Sequence, residues 1–110
     1  MTNTAPLMSE QSRIVLITGA SRGIGATIAM GLLQDGHRVV ATARKRSGLD
    51  ELYELAQQSK DLQSRLMLLE LDVCDQQSIE TAIAQVNEHW GHIEVLVNNA
   101  GSYVPGGVLT

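Results

Sequence analysis

Three observations on this 110-residue chain predict an α/β architecture, a doubly wound parallel sheet with helices on both faces. Short apolar runs without in-and-out alternation recur along the chain, as expected of strands covered from both sides. Stretches whose apolar residues repeat at helical spacing lie between them. The connections are short, so the order reads β-α-β-α-β-α-β, and right-handed crossovers leave essentially one arrangement for it. The expected strand order is 3-2-1-4, cut short after the fourth strand. Its ligand crevice lies at the carboxyl ends of the first and fourth strands, where the order reverses.

Each element follows from its residues. Residues 1–12 are polar, contain Pro6 and lack periodicity, so a flexible lead is expected there, with residues 13–110 forming one partial domain. Arg13 to Thr18 is the first strand. The helix after it carries Ile24, Ile28 and Leu32 at i, i+4 and i+8, flanked by Ala29 and Leu33, and this face should dock on the sheet; Gly36 supplies its stop. Arg38 to Ala43 is the second strand, Arg44 to Gly48 a polar break, and Leu49, Leu52, Leu55 and Ala56 mark a short second helix. Ser59 to Ser64 reads as a loop, and Leu66 to Leu71 as a third strand ending at Asp72-Val73. Asp75 is an expected N-cap for a helix whose Ile79, Ala82, Ile83, Val86 and Trp90 share one face and which ends at Gly91. Ile93 to Val97 is the fourth strand, followed by Asn98-Asn99-Ala100-Gly101 and a loop-like tail. The whole reads as a truncated Rossmann-type sheet.

The chemistry centres on Thr18 to Gly25, TGASRGIG, a glycine turn between the first strand and its helix. Glycine permits a positive φ and lets a phosphate approach bare backbone, roles for which Gly19, Gly23 and Gly25 are placed. A helix starting near Ile24 presents unpaired N–H groups and the positive end of its dipole, a site for a dinucleotide pyrophosphate. The same letters match G-x-S-x-G, which makes Ser21 a candidate nucleophile of a serine hydrolase. Against that, only a short polar lead precedes the turn, and no Asp followed by His lies in a convincing downstream position. A P-loop needs a lysine that is absent.

Composition sets bounds on function. A net charge of −4 argues against a nucleic-acid or membrane surface as the main partner. The single cysteine, Cys74, excludes an internal disulfide and a cysteine-rich metal site. His89 and His92 are separated by the helix-ending Gly91 and lack a third ligand, so no metal is expected. Without a secretion signal or a membrane-spanning run, a cytoplasmic location is the default expectation.

The glycine turn, the basic triplet after the second strand, Asp72 after the third and Asn98 to Gly101 after the fourth together resemble the short-chain dehydrogenase/reductase family, with its T-G-x-x-x-G-x-G and N-N-A-G motifs. The resemblance covers Ile14 to Gly101. It implies that Gly19, Ser21, Arg22, Gly23, Ile24 and Gly25 hold the pyrophosphate, that Asp72 and the Val73 backbone meet the adenine, and that Asn99 and Ala100 lie near the ribose. The complete enzyme would interconvert a carbonyl and an alcohol by hydride transfer on a small-molecule substrate, and form homo-oligomers only when complete.

Cofactor choice has a physical argument. A carboxylate about 20 residues past the glycine motif hydrogen-bonds the ribose of NAD and repels a 2′-phosphate. Here that zone reads Ala43-Arg44-Lys45-Arg46, so NADP is expected rather than NAD, with Arg44 pairing the phosphate and Arg22 within reach of it. The family's Tyr-x-x-x-Lys pair does not occur: Tyr53 is followed by Gln57 and Tyr103 by Gly107 at that spacing. No catalytic residue is therefore assigned, and this stretch alone is expected to bind cofactor without turnover, as a fragment of a longer enzyme or a naturally truncated product. The alternative is a non-catalytic dinucleotide-binding module or sensor.

Overall fold

The structure, a computed structural model, describes residues 12–21 and 23–99. The expected lead up to residue 11, Arg22, Ala100 and the loop-like tail lie outside the described residues. Four parallel strands pair in the order β3-β2-β1-β4, with β1 at Ile14–Ile17, β2 at Arg38–Ala43, β3 at Leu66–Glu70 and β4 at Val95–Val97. Helix α1 (Gly23–Gln34) links β1 to β2. A 3-10 turn (Arg46–Leu49), α2 (Asp50–Ala56) and α3 (Lys60–Ser64) link β2 to β3. Helix α4 (Gln76–Trp90) links β3 to β4.

Two cores account for the unalternating apolar runs. Val15 and Ile17 of β1 join Val39, Ala41, Ala29, Leu33, Leu49 and Leu52 on the face covered by α1 and α2. Ile14 and Leu16 point the other way and meet Val40, Leu71, Ala82 and Val86 beneath α4. Successive residues serve opposite faces, so a strand with both faces covered has little place for a polar side chain unless it finds a hydrogen-bond partner, as Thr42 of β2 does.

Two expectations are corrected. Helix α1 does not dock through Ile24, which is 71% exposed; its buried line is Gly25, Ala29 and Leu33, with Ile28 and Leu32 half-buried beside it. The helix is turned because Gly25 lies against the backbone of Gly19 and the side chain of Asn99, where a Cβ would collide with both. The second correction is α3, which replaces the expected loop over 59–64. Its N-cap Ser59 accepts hydrogen bonds through Oγ from the N–H groups of Asp61 and Leu62 at 3.1 and 3.3 Å. At its end, Arg65 pairs with Asp61 at 2.7 Å and donates to the carbonyls of Leu33 and His37 at 2.7 and 2.8 Å, which fastens the C-terminal end of α1.

Other boundaries shift by a residue or two, as helix and strand ends do. Asp75 caps α4 by accepting from the Gln77 N–H at 3.0 Å, and Gly91 follows with φ 91°. Helix α4 covers only part of its face. Ile83 and Leu96 remain exposed around an apolar groove of about 440 Å³.

Candidate functional site

Where β1 ends, its neighbours hold the chain in a fixed path. The Thr18 N–H donates to the Val97 carbonyl at 3.0 Å, and the Ala20 N–H donates to the Thr42 carbonyl at 2.9 Å. The fully buried Thr42 hydroxyl donates to the Ile17 carbonyl at 2.8 Å. The glycine turn is thereby suspended between β2 on one side and β4 on the other. Within it Gly19 and Gly23 take φ of 66° and 63°, which a side chain rarely tolerates. Among the described residues, nothing beyond its chain neighbours and its own helix lies within 4 Å of where a Cβ on Gly23 would stand, so the start of α1 is open on that side.

The Asn98-Asn99 pair lies directly behind this turn. The Thr18 hydroxyl donates to Asn98 Oδ1 at 3.0 Å and accepts from the Asn99 N–H at 2.8 Å. Asn99 Nδ2 donates to the Gly19 carbonyl at 3.2 Å. A single hydroxyl thus ties the ends of β1 and β4 together, and an amide props the glycine turn from below.

In front of the turn is a cavity of about 420 Å³ lined by Gly19, Ser21, Arg44, Lys45, Asp72 and Val73, among others. Asp72 accepts the Cys74 N–H at 2.9 Å through Oδ1, while its own N–H donates to Ser78 Oγ at 2.9 Å; these bonds fix the bend from β3 into α4. Of the sequence-derived residues, Gly19, Ser21, Arg44, Asp72 and Val73 share this cavity. Gly23, Ile24 and Gly25 form the first turn of α1, and Asn99 stands behind the glycine turn. Arg22 and Ala100 fall outside the described residues.

The basic triplet divides. Arg44 and Lys45 line the cavity. Arg46 pairs instead with Asp50 at 3.7 Å and stacks over Tyr53, its guanidinium carbon 5.7 Å from the ring centroid. Its N–H donates to the Glu70 carboxylate at 3.0 Å. Sequence reasoning treats the triplet as one block and does not place Ser47, Gly48 or Cys74 in the site, although they also line the cavity. The i,i+4 spacing of Arg46 and Asp50 is the available signal that one cation is spoken for.

The hydrolase reading finds no partner for Ser21 among the histidines. The His37 Nδ1 accepts the Arg13 N–H at 3.0 Å, the His89 ring meets the Gln85 carbonyl at 3.0 Å, and His92 approaches Glu94 at 3.9 Å. Among the described residues no group of three His, Cys, Asp or Glu side chains is placed to hold a metal, and no helix is long and apolar enough to cross a membrane.

A parallel sheet in this order, with a glycine turn at the reversal point and a cavity holding Arg44, Lys45 and Asp72 beside it, defines a dinucleotide-binding α/β domain. The short chain dehydrogenase family model matches residues 13–109, and the chain belongs to that family of oxidoreductases. It is 40% identical over 88 residues to the NADP-dependent 3-hydroxy acid dehydrogenase YdfG of Escherichia coli (strain K12), covering 80% of this chain and 33% of that protein. It is also 40% identical over 95 residues to the 3-oxoacyl-[acyl-carrier-protein] reductase FabG of Vibrio harveyi, covering 86% of this chain and 36% of that one. The menthone neomenthol reductase from Mentha piperita superposes with a TM-score of 0.76 at 28% identity, over 83% of this chain and 32% of that one. The chain thus spans about a third of the length of the curated relatives it matches.

Proposed function

We propose that this chain is the cofactor-binding part of an NADP-dependent oxidoreductase that interconverts a carbonyl and an alcohol. The observation that carries the reading is the cavity in which Arg44 and Lys45 stand with the glycine turn and Asp72, while β2 ends in Ala43 and so offers no carboxylate to the ribose. A carboxylate at that point would accept from ribose hydroxyls and repel a 2′-phosphate; two cations favour the phosphate. The name of the YdfG relative, an NADP-dependent enzyme, agrees.

The residues present fit such a cofactor. The open start of α1 and the positive-φ glycines leave backbone N–H groups for the pyrophosphate, and Asp72 with the Val73 backbone suits an adenine amino group. When bound, NADP supplies or accepts the hydride. The chain's own residues bind and orient it: Arg44 and Lys45 hold one end by charge, and the Thr18, Asn98 and Asn99 network fixes the turn that holds the middle.

The test is a pair of binding titrations, NADP and NAD, on the full-length protein at fixed ionic strength. Arg44→Ala removes a charge-assisted contact worth about 1.5 to 3 kcal/mol, about ten- to a hundredfold in NADP affinity, and leaves NAD nearly unchanged. Lys45 is the described neighbour that compensates, since Arg46 is turned to Asp50 and Tyr53. Ala43→Asp acts in the opposite sense. Equal losses for both cofactors in Arg44→Ala would reduce that residue to a loop support and remove the basis of the NADP reading.

A further inference from the structure

The sheet edge formed by β3 carries an unused row of backbone groups. The Val39 N–H donates to the Arg65 carbonyl and the Leu71 N–H to the Ala43 carbonyl, both at 2.8 Å, so the odd-numbered residues of this stretch bond toward β2. By the alternation of a strand, the N–H and C=O groups of Leu66, Leu68 and Glu70 point the other way. Among the described residues nothing bonds to them. Edge strands are ordinarily guarded by Lys, Pro or a bulge. This one reads Leu-Met-Leu-Leu-Glu along an unbroken ladder and has none of these.

The rims on either side are unguarded as well. On the α4 side a groove of about 570 Å³ is lined by Gln77, Ser78, Thr81 and Gln85, and on the α2 side one of about 290 Å³ is lined by Tyr53, Gln57 and Gln63. The charged residues along these grooves are already engaged. Glu70 and Asp75 accept the N–H groups of Arg46 and Gln77, both at 3.0 Å, and the Arg46 side chain is turned to Asp50 and Tyr53. Amides and hydroxyls are left, and these both donate and accept, so they can face their own copies as like charges cannot.

We propose that this edge is an interface between two copies of this chain, which pair β3 to β3 antiparallel about a two-fold axis at Leu68 and join their sheets into one. The outward groups lie symmetrically about that residue. Leu68 of one protomer faces Leu68 of its partner and Leu66 faces Glu70, each as a hydrogen-bonded pair, so no outward group is left over. The Glu70 positions of the two copies stand about 14 Å apart, four residues along the strand, which keeps their charges from opposing each other. Leu66 and Leu68, half-buried against the core under α1 and α2, gain cover from the same residues of the partner. The strand matches itself, and the occupant is therefore a second copy.

The test is disulfide cross-linking of the full-length protein with its native cysteines, Cys74 included, replaced by serine. A hydrogen-bonded antiparallel pair holds its Cα atoms about 5.5 Å apart, within the span of a disulfide. Leu68→Cys should therefore link to itself under mild oxidation. Leu66→Cys and Glu70→Cys, each about 14 Å from its own copy, should stay unlinked alone and link when the two are mixed. In the unmodified full-length protein the N–H groups of Leu66, Leu68 and Glu70 should exchange with solvent about tenfold or more slower than free amides. Fast exchange at these three positions at every concentration, beside protected Met67 and Leu69, would overturn the interface whatever the variants do. Self-linking of all three cysteine variants alike would refute the register. Protected amides without the Leu68→Cys link would mean that some other strand covers the edge, and would equally refute pairing with a second copy.

Discussion

Two glycines of α1, Gly25 and Gly31, should respond to alanine with opposite signs. In the interior of a helix, Gly→Ala ordinarily stabilises by about 1 kcal/mol, because alanine loses less backbone entropy on folding. At Gly31 a Cβ would meet nothing within 4 Å among the described residues outside its own helix, so that gain should appear nearly whole. At Gly25 the Cβ would collide with the Gly19 carbonyl and the Asn99 amide, groups fixed by the sheet and by the Thr18 network. Overpacking costs about 1 to 3 kcal/mol, and displacing Asn99 from Gly19 sacrifices a hydrogen bond worth about 1 kcal/mol more. After subtracting the helix gain, Gly25→Ala should destabilise by about 1 to 3 kcal/mol, and Gly31→Ala should stabilise by up to about 1 kcal/mol. Urea titrations followed by far-ultraviolet circular dichroism measure both. A Gly25→Ala protein at least as stable as the parent would refute the close approach of α1 to the glycine turn, and with it the orientation of the helix.

Further outcomes follow from contacts elsewhere. Thr42→Val removes the hydroxyl that donates to the Ile17 carbonyl and should cost about 1 to 2 kcal/mol by the same urea assay, most of it restored in Thr42→Ser. Arg65→Met strips two backbone carbonyls of a partly buried cationic donor, and a loss of about 2 kcal/mol is expected in chemical denaturation. The Ile14 N–H, with His92 and Arg13 nearby, holds the Glu94 carboxyl below its ordinary value. A depressed folded value means that the stabilisation is complete above the ordinary carboxylate range and vanishes as pH falls through the folded value. An acid-unfolding titration of Glu94→Gln should accordingly show a shallower acid limb, and an unchanged limb would exclude this contact as a source. The apolar groove beside α4 should make the 110-residue chain self-associate; sedimentation velocity should show less association in Leu96→Lys.

Much of this architecture is legible in the sequence because apolar runs and glycines answer to strong, local constraints. Both faces of each central strand are buried, and an unbroken apolar run such as Val39 to Ala41 fits nowhere on a surface. Helix α3 escapes a sequence reading since Leu62 is its only apolar residue, which leaves no periodicity to follow; the device that makes it, Ser59 capping ahead of an Asp61–Arg65 pair, looks in sequence like any polar loop. The face of α1 is misread for a different reason. Hydrophobicity favours Ile24, but the helix is set by how closely Gly25 can approach the Gly19 backbone, a constraint between residues that periodicity does not weigh. In the site, the composition of the basic triplet is plain, whereas the sorting of its members depends on Glu70, Asp50 and Tyr53, two of which lie on the following helix and one on the next strand.

The carboxyl edge of the sheet is not level. Ile17, the last residue of β1, pairs with Ala41 and with Val97, so β2 continues two residues further, through Thr42 to Ala43, and β3 keeps pace to Glu70. At about 3.3 Å per residue this raises a parapet some 7 Å high along one side of the cavity. The low side carries the glycine turn and the β1–β4 junction; the high side carries Arg44, Lys45 and Ser47, beyond the last ladder pair. Substitutions on the parapet's crest alter no strand pairing and touch no residue of the junction. On the proposed function, selectivity for one nucleotide over another can accordingly drift over evolutionary time, or be redirected by mutagenesis, while the foundation that folds the sheet is inherited intact.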